Sequence, residues 1–265
     1  MSRLERLETI FFDLDGCIWF GDSLAGNAAE LVACLRDAGR KVAFLSNVTS
    51  TTAELVAVKL TRMGIPTLES QVMTPFSILG RHPLLAGNPM VFLIGNQVIR
   101  DALRAAGLRL TQDPGVAEVV VVSRDTELTY HQLAAACEAL YRGASLLALN
   151  LDARVPVEGG IYMPGNGAVV AALTTATGVQ AEAIGKPSRF FFECALERFA
   201  ATRETTAMVG DNLDSDIKGG LDSGLLTVQV GLDGFTQLAV PPVPDHRVAD
   251  LFELQELLTG QGQPR

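Results

Sequence analysis

Along the chain, short apolar runs alternate with longer segments in which apolar residues recur every three to four positions. The runs at 10–14, 42–45, 90–94, 119–122, 146–149, 207–209 and 226–230 show little polar alternation, the pattern of strands covered on both faces. Between them the second kind of segment predicts helices. Ala28, Leu31, Val32 and Leu35 fall on one helical face, and Gly39 stops it. Thr51 and Glu54 have capping-box spacing ahead of a helix that runs to Gly64. Further helices follow the run at 90–94 as far as Gly107, begin at Thr129 and end near Gly143, span 166–177 before Gly178, and occupy 190–199, 216–222 and 251–258. Segments 154–162 and 241–244 read as loops, and the tail 260–265 as loose. Helical crossovers between short apolar strands predict an α/β fold with parallel sheets and helices on both faces.

Four polar segments stand where an apolar run has just ended or a helix is about to begin. The first is Asp13-Leu14-Asp15-Gly16. Residues i and i+2 of a strand face the same way, and two carboxylates so placed repel unless a cation or a proton separates them. Such a pair could hold Mg²⁺ and supply a nucleophile and an acid, or it could be a polar turn closing a strand. The others are Ser46-Asn47 after the run at 42–45, Gly185-Lys186-Pro187, and the acidic loop Gly210-Asp211-Asn212-Leu213-Asp214-Ser215-Asp216. Each has a purely structural reading as a turn, a surface lysine or a solvated cap. In open parallel sheets, however, ligands bind beyond the carboxyl ends of the strands. All four segments can converge there, which favours chemistry over coincidence.

Composition narrows the partners. Hydrophobic residues make up 48% of the 265, ample for a buried core in one large or two modest domains. A net charge of −9 disfavours nucleic acid and anionic membranes, although a local lysine and a metal still admit a phosphate substrate. The four cysteines form no CxxC pair and the three histidines are scattered, so zinc is not expected. Reduced thiols suggest a cytoplasmic protein. No apolar run approaches the ~20 residues that span a bilayer, and the charged first residues do not resemble a signal peptide.

In that order, Asp13-Leu14-Asp15-Gly16, Ser46, Lys186 and Gly210-Asp211 with Asp216 resemble the motifs of the haloacid dehalogenase (HAD) superfamily of phosphatases. Thr129-Tyr130, Asn150-Leu151-Asp152, Pro164-Gly165-Asn166-Gly167-Ala168 and Ala176-Thr177-Gly178 resemble its nitrophenylphosphatase-like or nucleotide-monophosphatase-like subgroup. The spacing agrees. Asp13 and Ser46 lie 33 positions apart, room for a turn flap and one helix, whereas the 140 positions from Ser46 to Lys186 can hold an inserted domain. The resemblance implies a Rossmann-like parallel-sheet HAD core, residues 1–80 and 181–265, interrupted by an α/β cap of the second class at 81–180.

The resemblance also implies the chemistry: a Mg²⁺-dependent phosphatase of small organic phosphomonoesters that works through an aspartyl-phosphate. Asp13 would be the nucleophile. Asp15 would protonate the leaving oxygen and later activate water. Mg²⁺ would be held by Asp13, the backbone carbonyl of Asp15, and Asp211. Ser46, the Asn47 backbone N–H and Lys186 would bind phosphoryl oxygens, with Asp216 and Asn212 supporting them. Trp19 is read as a packing residue of the flap, Cys17 as an inert buried thiol, and Gly165-Asn166-Gly167 as an ordinary helix start. Arg124, Asp125 and residues 154–162 are candidates for the substrate entrance, and the cap for a homodimer surface. A receiver-like phospho-acceptor is the alternative from another class, but such a module is shorter and lacks the late acidic loop and the insert. A dehalogenase would have no use for Asp15, and the cap placement argues against a phosphomutase.

Overall fold

The computed structural model describes residues 3–157, 161–231, 236 and 238–260. Two compact units form: the first from 1–46, 54–73 and 186–265, the second from 47–53 and 74–185. These divisions fall at 73/74 and 185/186 rather than 80/81 and 180/181. Residues 47–53 also group with the second unit, because their polar atoms bond there. The Thr49 carbonyl accepts Ser123 Oγ at 2.6 Å, and the Asn47 carbonyl accepts Asn150 Nδ2 at 2.6 Å.

The first unit carries a six-stranded parallel sheet in the order His246–Val248, Leu226–Val230, Thr206–Gly210, Thr9–Phe12, Lys41–Leu45, Val72–Met73. Its central strand Thr9–Phe12 is wholly buried, and Phe11, Phe12 and Phe44 are among its largest fully enclosed side chains. Each contributes roughly 1.5–3 kcal/mol by leaving water. The chain runs outward from Thr9–Phe12 in one direction and from Thr206–Gly210 in the other, so the sheet reverses between these two neighbours. That reversal is where doubly wound folds open a crevice at the carboxyl ends of their strands. Register then decides what lines it. Phe12 is paired with Phe44 on one side and Val209 on the other, so Asp13, Leu45 and Gly210 come next, abreast.

The second unit repeats the principle with five parallel strands in the order Ala181–Ala183, Ser145–Ala148, Val119–Val122, Met90–Ile94, Arg109–Thr111. Its core joins Phe92, Ile94, Val120, Leu140, Leu146 and Leu173. Thr129 caps Tyr130–Tyr141 through the Gln132 N–H, and the Gln132 side chain returns the bond.

Three expectations need correction. Of the segment 154–162, read as a loop, residues 154–157 and 161–162 belong to an antiparallel ribbon, Arg154–Val157 with Ile161–Pro164, and residues 158–160 lie outside the described residues. Its prolines hid it, since they are foreign to central strands yet tolerated in a ribbon with free edges. The helix placed at 216–222 is preceded by a π-type turn over Leu213–Ile217 and runs Lys218–Asp222, so Asp216 lies inside the turn. The helix after Thr51 opens at Ala53. Of the tail, residues 261–265 lie outside the described residues. Among the described residues no helix is long and apolar enough to cross a membrane.

Candidate active site

Asp13 leaves the central strand with its N–H donated to the Val209 carbonyl at 2.8 Å, and its side chain is buried. The strand has ended at Phe12, so the shared-face argument for Asp13 and Asp15 does not apply. Asp13 is enclosed, while Asp15 is exposed and its Oδ1 accepts the Trp19 indole N–H at 2.8 Å. The carboxylates that gather are Asp13, Asp211 and Asp216, with one oxygen from each inside a 4.8 Å spread.

One lysine joins two of them, Asp13 and Asp216. Lys186, 1% exposed, donates to Asp13 Oδ1 at 2.5 Å and to the Leu45 carbonyl at 2.8 Å, and lies 2.7 Å from Asp216 Oδ1. Burial alone would lower its pKa; Asp13 and Asp216 more than offset that and hold it protonated. Asp13 is pushed well above the usual carboxylate range, chiefly by burial and then by Asp216, against the pull of Lys186. Burial and Asp216 push Asp211 up to about 7. Two buried carboxylates and the half-buried Asp211 gather near one ammonium, a formal excess of two negative charges when all are ionised. Protons or a divalent cation can balance it.

Two further observations fit a cation. Asp211 Oδ1 is buried with no hydrogen-bond partner, an expensive state for a carboxylate oxygen. The donors are all oxygens, the set that hard cations such as Mg²⁺ and Ca²⁺ select.

Glycines make the approach possible. At Gly16 φ is +95°, and an added Cβ would lie 2.5 Å from Asp211 Oδ2. At Gly210 a Cβ would fall 2.5 Å from the Asp216 carboxyl carbon. Gly210→Ala is therefore expected to displace Asp216 from Lys186 and destabilise the protein by about 1–3 kcal/mol, read as a fall in urea midpoint together with a fall in kcat/KM.

The acidic loop is shaped by Asn212. Its side chain accepts from the N–H groups of Asp214 (2.9 Å) and Ser215 (3.1 Å), and its own N–H donates to Asp216 Oδ2 at 3.2 Å. Ser46 is buried directly after Leu45. Asn47 groups with the second unit, where its side-chain amide donates to both Asp152 oxygens at 3.2 Å. Cys17 is buried, and burial followed by Asp13 pushes its thiol up, which disfavours the thiolate. Gly165 and Gly167 start a helix against the backbone of residues 151–154, where a Cβ would overlap it. A cleft of about 660 Å³ in the second unit is lined by Asn96, Gln97, Arg100, Asp125, Glu127 and Gln132, among others. None of the clustered carboxylates Asp13, Asp211 and Asp216 lines this cleft. Trp19 is the residue that sequence reasoning undervalued: its place four positions after Asp15 was visible, but its bond to that carboxylate was not.

Models of known families match two stretches: the haloacid dehalogenase-like hydrolases over residues 10–109, and a second HAD-hydrolase-like model over 183–254. Mouse (Mus musculus) chronophin is 35% identical over 251 residues, covering 86% of each chain. A 5'-nucleotidase of Bacillus subtilis is 36% identical over 219 residues, 82% of this chain and 84% of its own. Among solved structures, a 4-nitrophenylphosphatase from Thermotoga maritima superposes with a TM-score of 0.86 at 28% identity, over 97% of this chain and all of its own. A glycerol phosphate phosphatase from Mycobacterium tuberculosis, in complex with calcium, gives 0.81 at 29% identity, over 97% of this chain and 76% of its own.

Proposed function

Because the chain belongs to the haloacid dehalogenase-like hydrolases, we propose that its first unit hydrolyses small organic phosphomonoesters with Mg²⁺ through an aspartyl-phosphate. The observation that carries this reading is the cluster of the buried Asp13 and Asp216, both paired with Lys186, and the half-buried Asp211 with its unpartnered oxygen, at the point where the sheet reverses. The named activities of three relatives support it: a 5'-nucleotidase, a 4-nitrophenylphosphatase and a glycerol phosphate phosphatase.

Asp13, Asp211 and the backbone carbonyl of Asp15 would hold Mg²⁺, which when bound neutralises charge on the phosphoryl group. The remaining work falls to the side chains. Asp13 attacks phosphorus while the bond to the leaving oxygen breaks, and Asp15 gives that oxygen its proton. Asp15 then takes a proton from water, the water attacks the phosphoryl group, and the bond to Asp13 breaks to free phosphate. The Ser46 hydroxyl and the Lys186 ammonium hold phosphoryl oxygens during both transfers. Asp216 keeps Lys186 aimed, and Asn212 keeps Asp216 in place.

The test is a panel of phosphate esters assayed with Mg²⁺, with chelator, and after Mg²⁺ is restored. Phosphate release in the first condition, its loss in the second and its return in the third are expected. Release undiminished by chelator would refute the metal-assisted reading.

A further inference from the structure

Trp19 is buried, yet its indole N–H points at an exposed carboxylate, with Nε1 2.8 Å from Asp15 Oδ1. The backbone closes around the same contact. Gly16 N–H donates to the Trp19 carbonyl at 2.9 Å, and Trp19 N–H donates to the Leu14 carbonyl at 3.0 Å. Residues 14–19 thus form a tight loop with the ring folded over it. Behind the ring stands Lys59, whose Nζ lies 4.6 Å from the ring centroid, donates to the Gly21 carbonyl at 2.7 Å and pairs with Asp22 at 3.1 Å. Lys59 therefore ties the Trp19–Phe20 and Ser23–Leu24 ribbon to the helix Ala53–Arg62. A cation over the ring face also favours the indole in this orientation.

An exposed carboxylate on a flexible side chain samples several rotamers. A proton donor must instead be held in reach of one oxygen. We propose that Trp19 is the positioning residue for Asp15: the indole N–H fixes Oδ1, so that Oδ2 is presented to carry the proton. Lys59 fixes the indole in turn. This rests on the reading of Asp15 as the proton carrier. In the step concerned, the bond from phosphorus to the leaving oxygen breaks as the proton passes from Asp15 to that oxygen. A positioning role therefore matters in proportion to how much the leaving group needs the proton.

The experiment compares kcat/KM for 4-nitrophenyl phosphate, whose phenolate departs readily unprotonated, with that for phenyl phosphate, whose phenolate does not. Since kcat/KM covers steps only as far as phosphoenzyme formation, water attack does not enter. Trp19→Phe keeps an aromatic ring beneath Lys59 and removes the donor. It is expected to lower kcat/KM on phenyl phosphate about tenfold or more and on the nitrophenyl ester less than about threefold, a portion of what a general acid supplies. Asp15→Asn should show the same asymmetry more strongly. Equal losses on both esters in Trp19→Phe, or none, would overturn the inference while the Asp15 reading stands. No asymmetry in Asp15→Asn would fell that reading itself. Should Trp19→Phe not fold, the chain's single tryptophan offers a second measurement. Its one indole N–H proton resonance is expected to move upfield in Asp15→Ala, and an unmoved resonance would likewise overturn the proposal.

Discussion

Asp13→Asn is expected to stop turnover while leaving the fold intact. Loss of a nucleophile, or of the group that orients one, costs a hydrolase on the order of 10⁴–10⁶-fold in kcat. An amide has no free anionic oxygen with which to form the acyl-phosphate. Stability should move the other way. Burial, then Asp216, raises the Asp13 pKa well above that of a free aspartate, so the folded state favours its neutral form. For such a group, stability is fully present below the unfolded pKa and is lost as pH rises through the folded value. At neutral pH in chelator the wild type therefore bears a penalty that the neutral amide lacks. Asp13→Asn should melt no lower than wild type there, and the difference should shrink on acidification. Activity lost together with melting temperature would point to a structural role for Asp13 instead of a chemical one.

That trade of stability for a charged site also explains what was legible in the sequence and what was not. The apolar runs ending in Asp13, Ser46 and Gly210 could be read because a buried parallel strand must be apolar throughout and must end where polar groups begin. The parallel register then brings those ends abreast without further information. The strands Val72–Met73, Ala181–Ala183 and His246–Val248 were missed because two or three residues carry no periodicity, and their place is set by the neighbour they pair with. The π-type turn was missed because Asn212, not an apolar period, dictates it. Spacing placed Asp13 and Asp15 on one face, but the strand stops one residue too soon for that rule. The partner of Asp15 is an aromatic residue that composition assigns to packing. Side-chain hydrogen bonds across a turn have no signature in hydrophobic pattern, and so Trp19 could be seen only in three dimensions.

The other large effect is expected at Lys186. Replacing it with methionine preserves length and apolar stem but removes the one ammonium that Asp13 and Asp216 share. Deleting a single partner of a buried ion pair costs about 3–5 kcal/mol, because the charges left behind are neither solvated nor paired. With a urea m-value near 2 kcal/mol/M, that is a midpoint shift of roughly 2 M. Trp19 lies in the first unit with Lys186, so its fluorescence reports this unfolding directly. Lys186→Met with Asp216→Asn removes one of the stranded charges and should recover part of the loss, which a simple packing defect would not. Acidification should recover more. Asp13, left without its cation, has a folded pKa above the unfolded one, so its penalty is present at high pH and disappears as it takes up a proton. Turnover should fall by at least about 10²-fold in the single variant, the scale set by removing one preorganised donor to a developing charge. A Lys186→Met protein that unfolds with wild type and still cleaves phosphate esters would show that the lysine does not neutralise the cluster. The balance of charge at the sheet reversal would then have to come from elsewhere.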